Sequence, residues 1–335
     1  MKKRIAIVGG GGFIGHNLAL ELKKKFKVYI LDNLLVNNLY SVIMNTDKIP
    51  NPNLSKYIIE QRLDLIEKNK INFLFCDARN YHELSYNLDK VKPDIIIHLA
   101  AVSHSNRANK TPLSTFDHSL RTLENSLDYS KKSVKHFIFF SSSMVYGNFT
   151  KAIIDENSIC DPLGIYGNLK FSGERLVIAH NQVFGLPYTI VRPSALYGER
   201  CISRRVSQIF IENLIDKKSI IIEGTGKEKL DFTYIKDLTH GVKKIIENKN
   251  SKNQIFNITY GKGRKIVDLV NILKKYFPDL KVEYRPKDKL MPKRGTLSTS
   301  KAKRLIGYNP SWPIEKGYVE YIKWYKNIFN QFRSK

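Results

Sequence analysis

This 335-residue sequence predicts an α/β fold: a doubly wound parallel sheet with a smaller C-terminal lobe. Three observations carry that reading. Short apolar runs alternate with amphipathic stretches up to Arg192. The runs IAIV, VYIL, IIIHLA and FIFFSS lack polar alternation, as expected of strands covered on both faces. The first run passes straight into a glycine-rich turn with a helix behind it.

Taken in order, strands are expected at Arg4–Val8, Lys27–Leu31, Asn72–Cys76, Ile95–Leu99, His136–Ser141 and Tyr188–Arg192. Helices are expected at Phe13–Lys25, Pro112–Ser130 and Ile165–Phe184. The stretch Asn33–Ile71 is long for one crossover. It holds the turn-rich KIPNPN and then a helical pattern over Leu54–Asn69, and reads as a surface insertion or lid. Past Arg192 the alternation fades into shorter pieces. Helices are expected at Ile202–Asp216, Leu238–Glu247, Ile266–Tyr276 and Ile314–Phe329, with strands at Ser219–Glu223, Phe232–Ile235 and Gln254–Thr259. The domain division that follows is a nucleotide-binding domain over 1–190, with returning segments near 232–262. A smaller lobe comprises 191–231 and 263–335.

Composition narrows the function. Hydrophobic residues make up 42% and charged residues 26%, enough for a sizeable core. The net charge of +25 favours approach of polyanions, nucleotide diphosphates among them. Lysine is spread along the whole chain, however, and no basic block is interleaved with aromatics. The reading is a solvated surface, with no nucleic-acid partner. Cys76, Cys160 and Cys201 have neither metal-ligand nor disulfide spacing, so no metal is expected and a reduced, cytoplasmic setting is. The first apolar run breaks at glycine after four residues, too short for a signal core or membrane span.

Gly9-Gly10-Gly11-Gly12-Phe13-Ile14-Gly15 follows the first strand. Such glycines allow a tight turn, let backbone approach a pyrophosphate and seat the helix, whose N-terminus then faces the phosphates. Asp32 closes the second strand, where a carboxylate accepts from the adenosine ribose hydroxyls and repels a 2′-phosphate. NAD is therefore expected over NADP. Tyr166 and Lys170 stand four apart on a helical pattern, hence on one face. A tyrosine acting as a base at neutral pH needs its pKa lowered by about three units, roughly 4 kcal/mol, and a neighbouring ammonium helps to supply that.

The glycine loop, Asp32, HLAA at 98–101, FIFFSSSMVYG, Tyr166-x-x-x-Lys170 and VRPSALYG at 191–198 occur in one order and spacing. In these the chain resembles the extended short-chain dehydrogenase/reductase family, in its NAD-dependent nucleotide-sugar epimerase/dehydratase branch (UDP-glucose 4-epimerase-like). Further on, EGTGKEKLDFTYIKD (223–237) and KRGTLSTSKAKRLIGYNP (293–310) are similar to that branch's later segments. The resemblance implies Ser142, Tyr166 and Lys170 as catalytic residues. It implies NAD held by Gly9, Gly12, Phe13, Ile14, Gly15, Asp32, Asn33, Asp77, Ala78, Leu99, Ala100, Ala101, Ser103, Tyr166, Lys170 and Pro193. A nucleotide-diphosphate sugar would meet His104, Ser142, Ser143, Ser194, Arg200 and Arg294. A homodimer formed through the helices Pro112–Ser130 and Ile165–Phe184 is also implied.

Two departures matter. Dehydratases of the branch carry an Asp-Glu pair directly after the catalytic Ser/Thr, and its decarboxylases a Glu at the second place. Here Ser143 and Met144 stand there, which points to epimerisation, at C4 through a 4-keto intermediate. Against this, SHSNR at 103–107 is similar to the dehydratases' sugar loop, so a dehydratase or a 4-keto-sugar reductase stays open, as does a non-catalytic NAD sensor. Leu230 replaces an arginine that grips the diphosphate, with Lys229 or Arg200 as substitutes. Cys201 reads as a buried small residue rather than an extra acid/base.

Overall fold

The computed structural model describes residues 2–44, 49–103, 105–287 and 290–334, excepting the side chains of 105–107. Seven strands form the main sheet: β1 Arg4–Val8, β2 Lys27–Asp32, β3 Asn72–Phe75, β4 Ile95–His98, β5 His136–Phe140, β6 Tyr188–Arg192 and β7 Gln254–Asn257. Their order is β7-β6-β5-β4-β1-β2-β3, with every pairing parallel. The order reverses between β1 and β4, and the crevice beyond the strand ends at such a point is where a doubly wound sheet takes its ligand.

Alternate strand residues feed two cores. Ile5, Ile7, Ile30, Ile95, Ile97 and Ile138 pack with the helices α1 Phe13–Leu22 and α2 Pro52–Lys68 and with the C-terminal helix Ile314–Arg333. Ala6, Val8, Leu31, Ile96, Phe137 and Phe139 face α3 Tyr81–Val91, α4 Thr122–Ser130 and α5 Gly164–Phe184. The side-chain period of two thus builds a three-layer α/β sandwich, the Rossmann arrangement.

Four elements differ from expectation. Residues 51–68 of the 33–71 segment belong to the core rather than to a lid. Asn51 caps α2 by accepting from Leu54 N (3.3 Å), Pro52 opens it, and Leu54, Ile58, Ile59 and Ile66 bury into the core. Helix α3 had no counterpart in the sequence reading, because only Leu84, Leu88 and Val91 mark its buried face. The helix expected from Ile202 starts at Val206, since Arg200 and Arg204 adopt left-handed φ values of 63° and 48° that no helix accepts. The stretch expected as one helix over Pro112–Ser130 opens as Pro112–Phe116, passes through a π turn at Asp117–Arg121 and continues as α4.

Candidate active site

The β1–α1 turn is held by close backbone packing. Gly9 has φ +79°, and a Cβ there would lie 2.5 Å from Ala100 N, so the turn lies against the loop that leaves β4. A Cβ on Gly15 would fall 2.4 Å from Gly10 Cα; glycine alone lets α1 sit on its own turn. At Gly12 a Cβ would meet nothing closer than Gly9 O at 3.7 Å, so it would fill the groove itself. Helix α1 has no side-chain cap, which leaves its first N–H groups directed at that groove. Shape and dipole both fit a pyrophosphate.

Gly9, Gly12, Phe13, Ile14, Gly15, Asp32, Asn33, Asp77, Ala78, Leu99, Ala100, Ala101 and Ser103 all line this groove. Asp32 accepts from Gly11 N (2.8 Å) and Leu34 N (2.6 Å), while burial lifts its pKa above the usual value. Burial alone would raise Asp77 as well. Arg79, at 2.6 Å, overrides that and holds its carboxyl below the ordinary range.

Beside the groove opens a cleft of about 1110 Å³ whose wall includes Ser142, Ser143, Tyr166, Lys170, Pro193, Ser194 and Arg294. Helix α5, which carries Tyr166 and Lys170, is fixed from below. Buried Glu174 takes a two-pronged bond from Arg192 of β6 (2.9 and 2.6 Å) and another from Ser141 (2.5 Å) just after β5. Arg192 also stacks 4.7 Å from the Tyr146 ring, and Tyr146 in turn donates to Asn257 of β7. One turn before Glu174, Lys170 Nζ donates to Phe140 O at 2.7 Å. Burial drives the Lys170 pKa down to about 8, with Glu174 pulling the other way. Ser142 lies two residues past β5, at the head of the turn Ser143–Tyr146, and its Oγ accepts from Met144 N at 3.2 Å.

Arg294 enters the cleft from the segment before Thr296–Leu297. Its Nη2 donates to Ser143 Oγ (2.5 Å) and Ser194 Oγ (2.9 Å), and Nη1 reaches Met144 Sδ at 3.1 Å. It therefore lies against the serine turn rather than only at a diphosphate. Asp231 braces this region by accepting from Leu297 N (3.1 Å), Gly261 N (3.2 Å) and Thr259 Oγ1 (3.1 Å).

Arg200, expected at the substrate, is not among the residues lining the cleft; its Nε donates to His16 Nε2 of α1 (3.2 Å). His104 lies outside the described residues. Leu230 lines the cleft with Lys229. Cys201 is buried against Ser203, away from the cleft.

Sequence reasoning missed Arg62 and Arg205. Both line the groove, and Arg205 also lines the cleft. Arg62 had a usable signal, a cation on the apolar stripe of α2; Arg205, in an irregular loop, had none.

A profile of the NAD dependent epimerase/dehydratase family matches residues 5–259. A UDP-glucuronate 4-epimerase from Thermodesulfobacterium geofontis is 28% identical, covering 98% of both chains. A dTDP-D-glucose 4,6-dehydratase from Dictyostelium discoideum is 30% identical over 76% of this chain and 58% of its own length. Among solved structures, the UDP-glucuronic acid 4-epimerase of Bacillus cereus, in complex with UDP-glucuronic acid and NAD, superimposes with a TM-score of 0.85. It is 25% identical and the match covers 97% of this chain and 99% of that one. With the groove, the serine turn and the Tyr166–Lys170 helix in the order that family requires, the chain belongs to the NAD dependent epimerase/dehydratase family.

Proposed function

We propose that this chain is an NAD-dependent nucleotide-sugar epimerase acting at C4. The observation that carries the choice is what surrounds the serine turn. Ser142, Tyr166 and Lys170 share one cleft wall, yet the only carboxylates among the described lining residues are Glu223 and Glu228. Both belong to the segment around Ile220–Glu223 and the turn after it, not to the turn carrying Ser143 and Met144. A dehydration needs an acid beside the departing hydroxyl, and here that position offers a hydroxyl and a thioether.

When bound in the groove, NAD would supply the hydride-transfer chemistry at C4. Tyr166 takes the C4 hydroxyl proton and gives it back after the 4-keto sugar has turned over. Lys170, one turn along α5 on the same cleft wall, would hold the nicotinamide ribose. Ser142 orients the hydroxyl, and Arg294 with Ser143 and Ser194 forms a polar floor. The cleft's basic lining, including Lys151, Arg205, Lys227, Lys229 and Lys293, suits a diphosphate even with Leu230 in the arginine's place.

The same reading divides the chain into a cofactor part (1–190 with 232–262) and a substrate lobe (191–231 and 263–335). It also includes a twofold dimer through α4 and α5, whose flanks leave Leu113, Phe116, Val183 and Phe184 exposed. A monomer by light scattering at micromolar concentration refutes the dimer.

The test is to incubate pure protein with UDP-, GDP-, CDP- and dTDP-sugars and read products by mass and NMR. The expected product has the substrate's mass, no net change in NADH absorbance, and retains a C4 deuterium label. Loss of one water would assign dehydration, and net NADH consumption a reductase. Binding of NAD without turnover of any sugar would assign a sensor.

A further inference from the structure

Arg62 is fully buried on the inward face of α2, in register with Leu54, Ile58, Ile59 and Ile66. Its Nε and Nη2 both donate to the carbonyl of Arg200, at 2.8 and 2.5 Å. That arrangement points the remaining nitrogen, Nη1, away from the only acceptor in use. Nη1 is buried and has no partner among the described residues, while the residue lines the cofactor groove. Buried donors are almost always satisfied, and buried charges are paired.

The charge has the same deficit. Of the groups that act on Arg62, Arg200 is a second cation, Cys201 and Tyr321 are ordinarily neutral, and Asp32 is the one carboxylate. Both Asp32 oxygens already accept backbone N–H groups. The neighbouring His16 is kept uncharged by burial and by the two arginines. Arg62 therefore has one committed carboxylate and faces a second cation, Arg200, whose own carboxylate is Glu199, next to the free end of α1. An anion of higher charge, placed in the groove, completes this arrangement.

We propose that Arg62 is a cofactor-binding residue whose Nη1 donates to a phosphate oxygen of the NAD pyrophosphate, with its charge offsetting that of the diphosphate. The assignment rests on the reading that the groove holds NAD. The diphosphate is the cofactor's, not the sugar nucleotide's, because Arg62 lines the groove with Gly12–Gly15 and is not part of the larger cleft. The 33–71 insertion then has a role: it delivers a phosphate anchor from the core side. Through the Arg200 carbonyl it also ties that anchor to the loop bearing Ser203 and Arg205, which line the same groove.

The test compares cofactor-stripped wild type with Arg62→Met by calorimetric titration of NAD, ADP and adenosine. Charge-assisted hydrogen bonds predict NAD and ADP affinities falling roughly 10- to 100-fold in the variant, with adenosine within about twofold. Equal NAD and ADP binding in both proteins overturns the proposal, as does an equal loss for adenosine, which would show a collapsed groove. A wild type that binds none of the three overturns the underlying cofactor reading instead. If Arg62→Met does not fold, Arg62→Gln, which keeps a donor for the Arg200 carbonyl but no charge, is read in the same way. Arg62→Lys should restore part of the preference for ADP over adenosine.

Discussion

In the groove beside the β1–α1 turn the backbone makes most of the surface: three glycines, the free N–H groups of α1, and the Asp32 carboxylate bonded to Gly11 N. In the larger cleft, side chains from distant parts of the chain do it. Arg294 meets Ser143 from 151 positions away, and Glu174 locks α5 to β6. A backbone site is specified by a few adjacent residues and tolerates change around it. A side-chain site depends on every element that aims a group into it, so it can be lost by a substitution far from the substrate.

The largest expected effect lies on the chemistry. Tyr166→Phe removes the proton acceptor and little volume, so turnover should fall by roughly 10²–10⁴. NAD titration should stay near wild type, which keeps groove and cleft separable; near-full activity would remove Tyr166 from its role. The next effect tests whether the cleft depends on its distant brace. Glu174→Ala leaves the Arg192 guanidinium buried and unpaired, at a cost of about 3–5 kcal/mol in denaturant unfolding. Replacing both partners by methionine should recover most of that loss, and a double variant as unstable as the single one would show that the ion pair is not what α5 rests on.

The smallest effect has the opposite sign. Lys170, buried with a pKa near 8 against about 10.4 in an unfolded chain, is a charge the fold disfavours. Below pH 8 both states carry the proton and the full penalty applies. Between about pH 8 and 10.4 the unfolded chain binds more protons, so stability rises with pH. Lys170→Met should therefore abolish activity yet stabilise the cofactor-free protein at pH 7 by about 1–3 kcal/mol, after the lost bond to Phe140 O. It should also flatten the alkaline rise, and an unchanged melting profile at pH 7 and 9 would contradict this.

What could be read from the sequence follows the same divide. The glycine loop, Asp32 and the six N-terminal strands were legible because each is set by a contiguous run of apolar residues or glycines. The edge residues were not: β4 stops at His98 and α1 at Leu22, where tertiary packing rather than propensity sets the limit. Arg200 was expected at the substrate because it follows a motif, but its left-handed backbone turns the side chain toward His16. Arg294 was expected at the diphosphate, and its contact with the serine turn depends on how Asp231 ties 259–261 to Leu297, which spacing alone does not express.

The seventh strand has a consequence for how the protein is made. β7 pairs with β6, yet residues 193–253 lie between them in the chain. During synthesis the N-terminal half therefore emerges with β6, a strand buried in the finished fold, as a bare edge whose outer backbone groups stay unpaired until Gln254–Asn257 arrives. The nascent enzyme spends that interval as a strand acceptor, and any extended segment nearby, including one from a neighbouring ribosome, competes with β7 for the place.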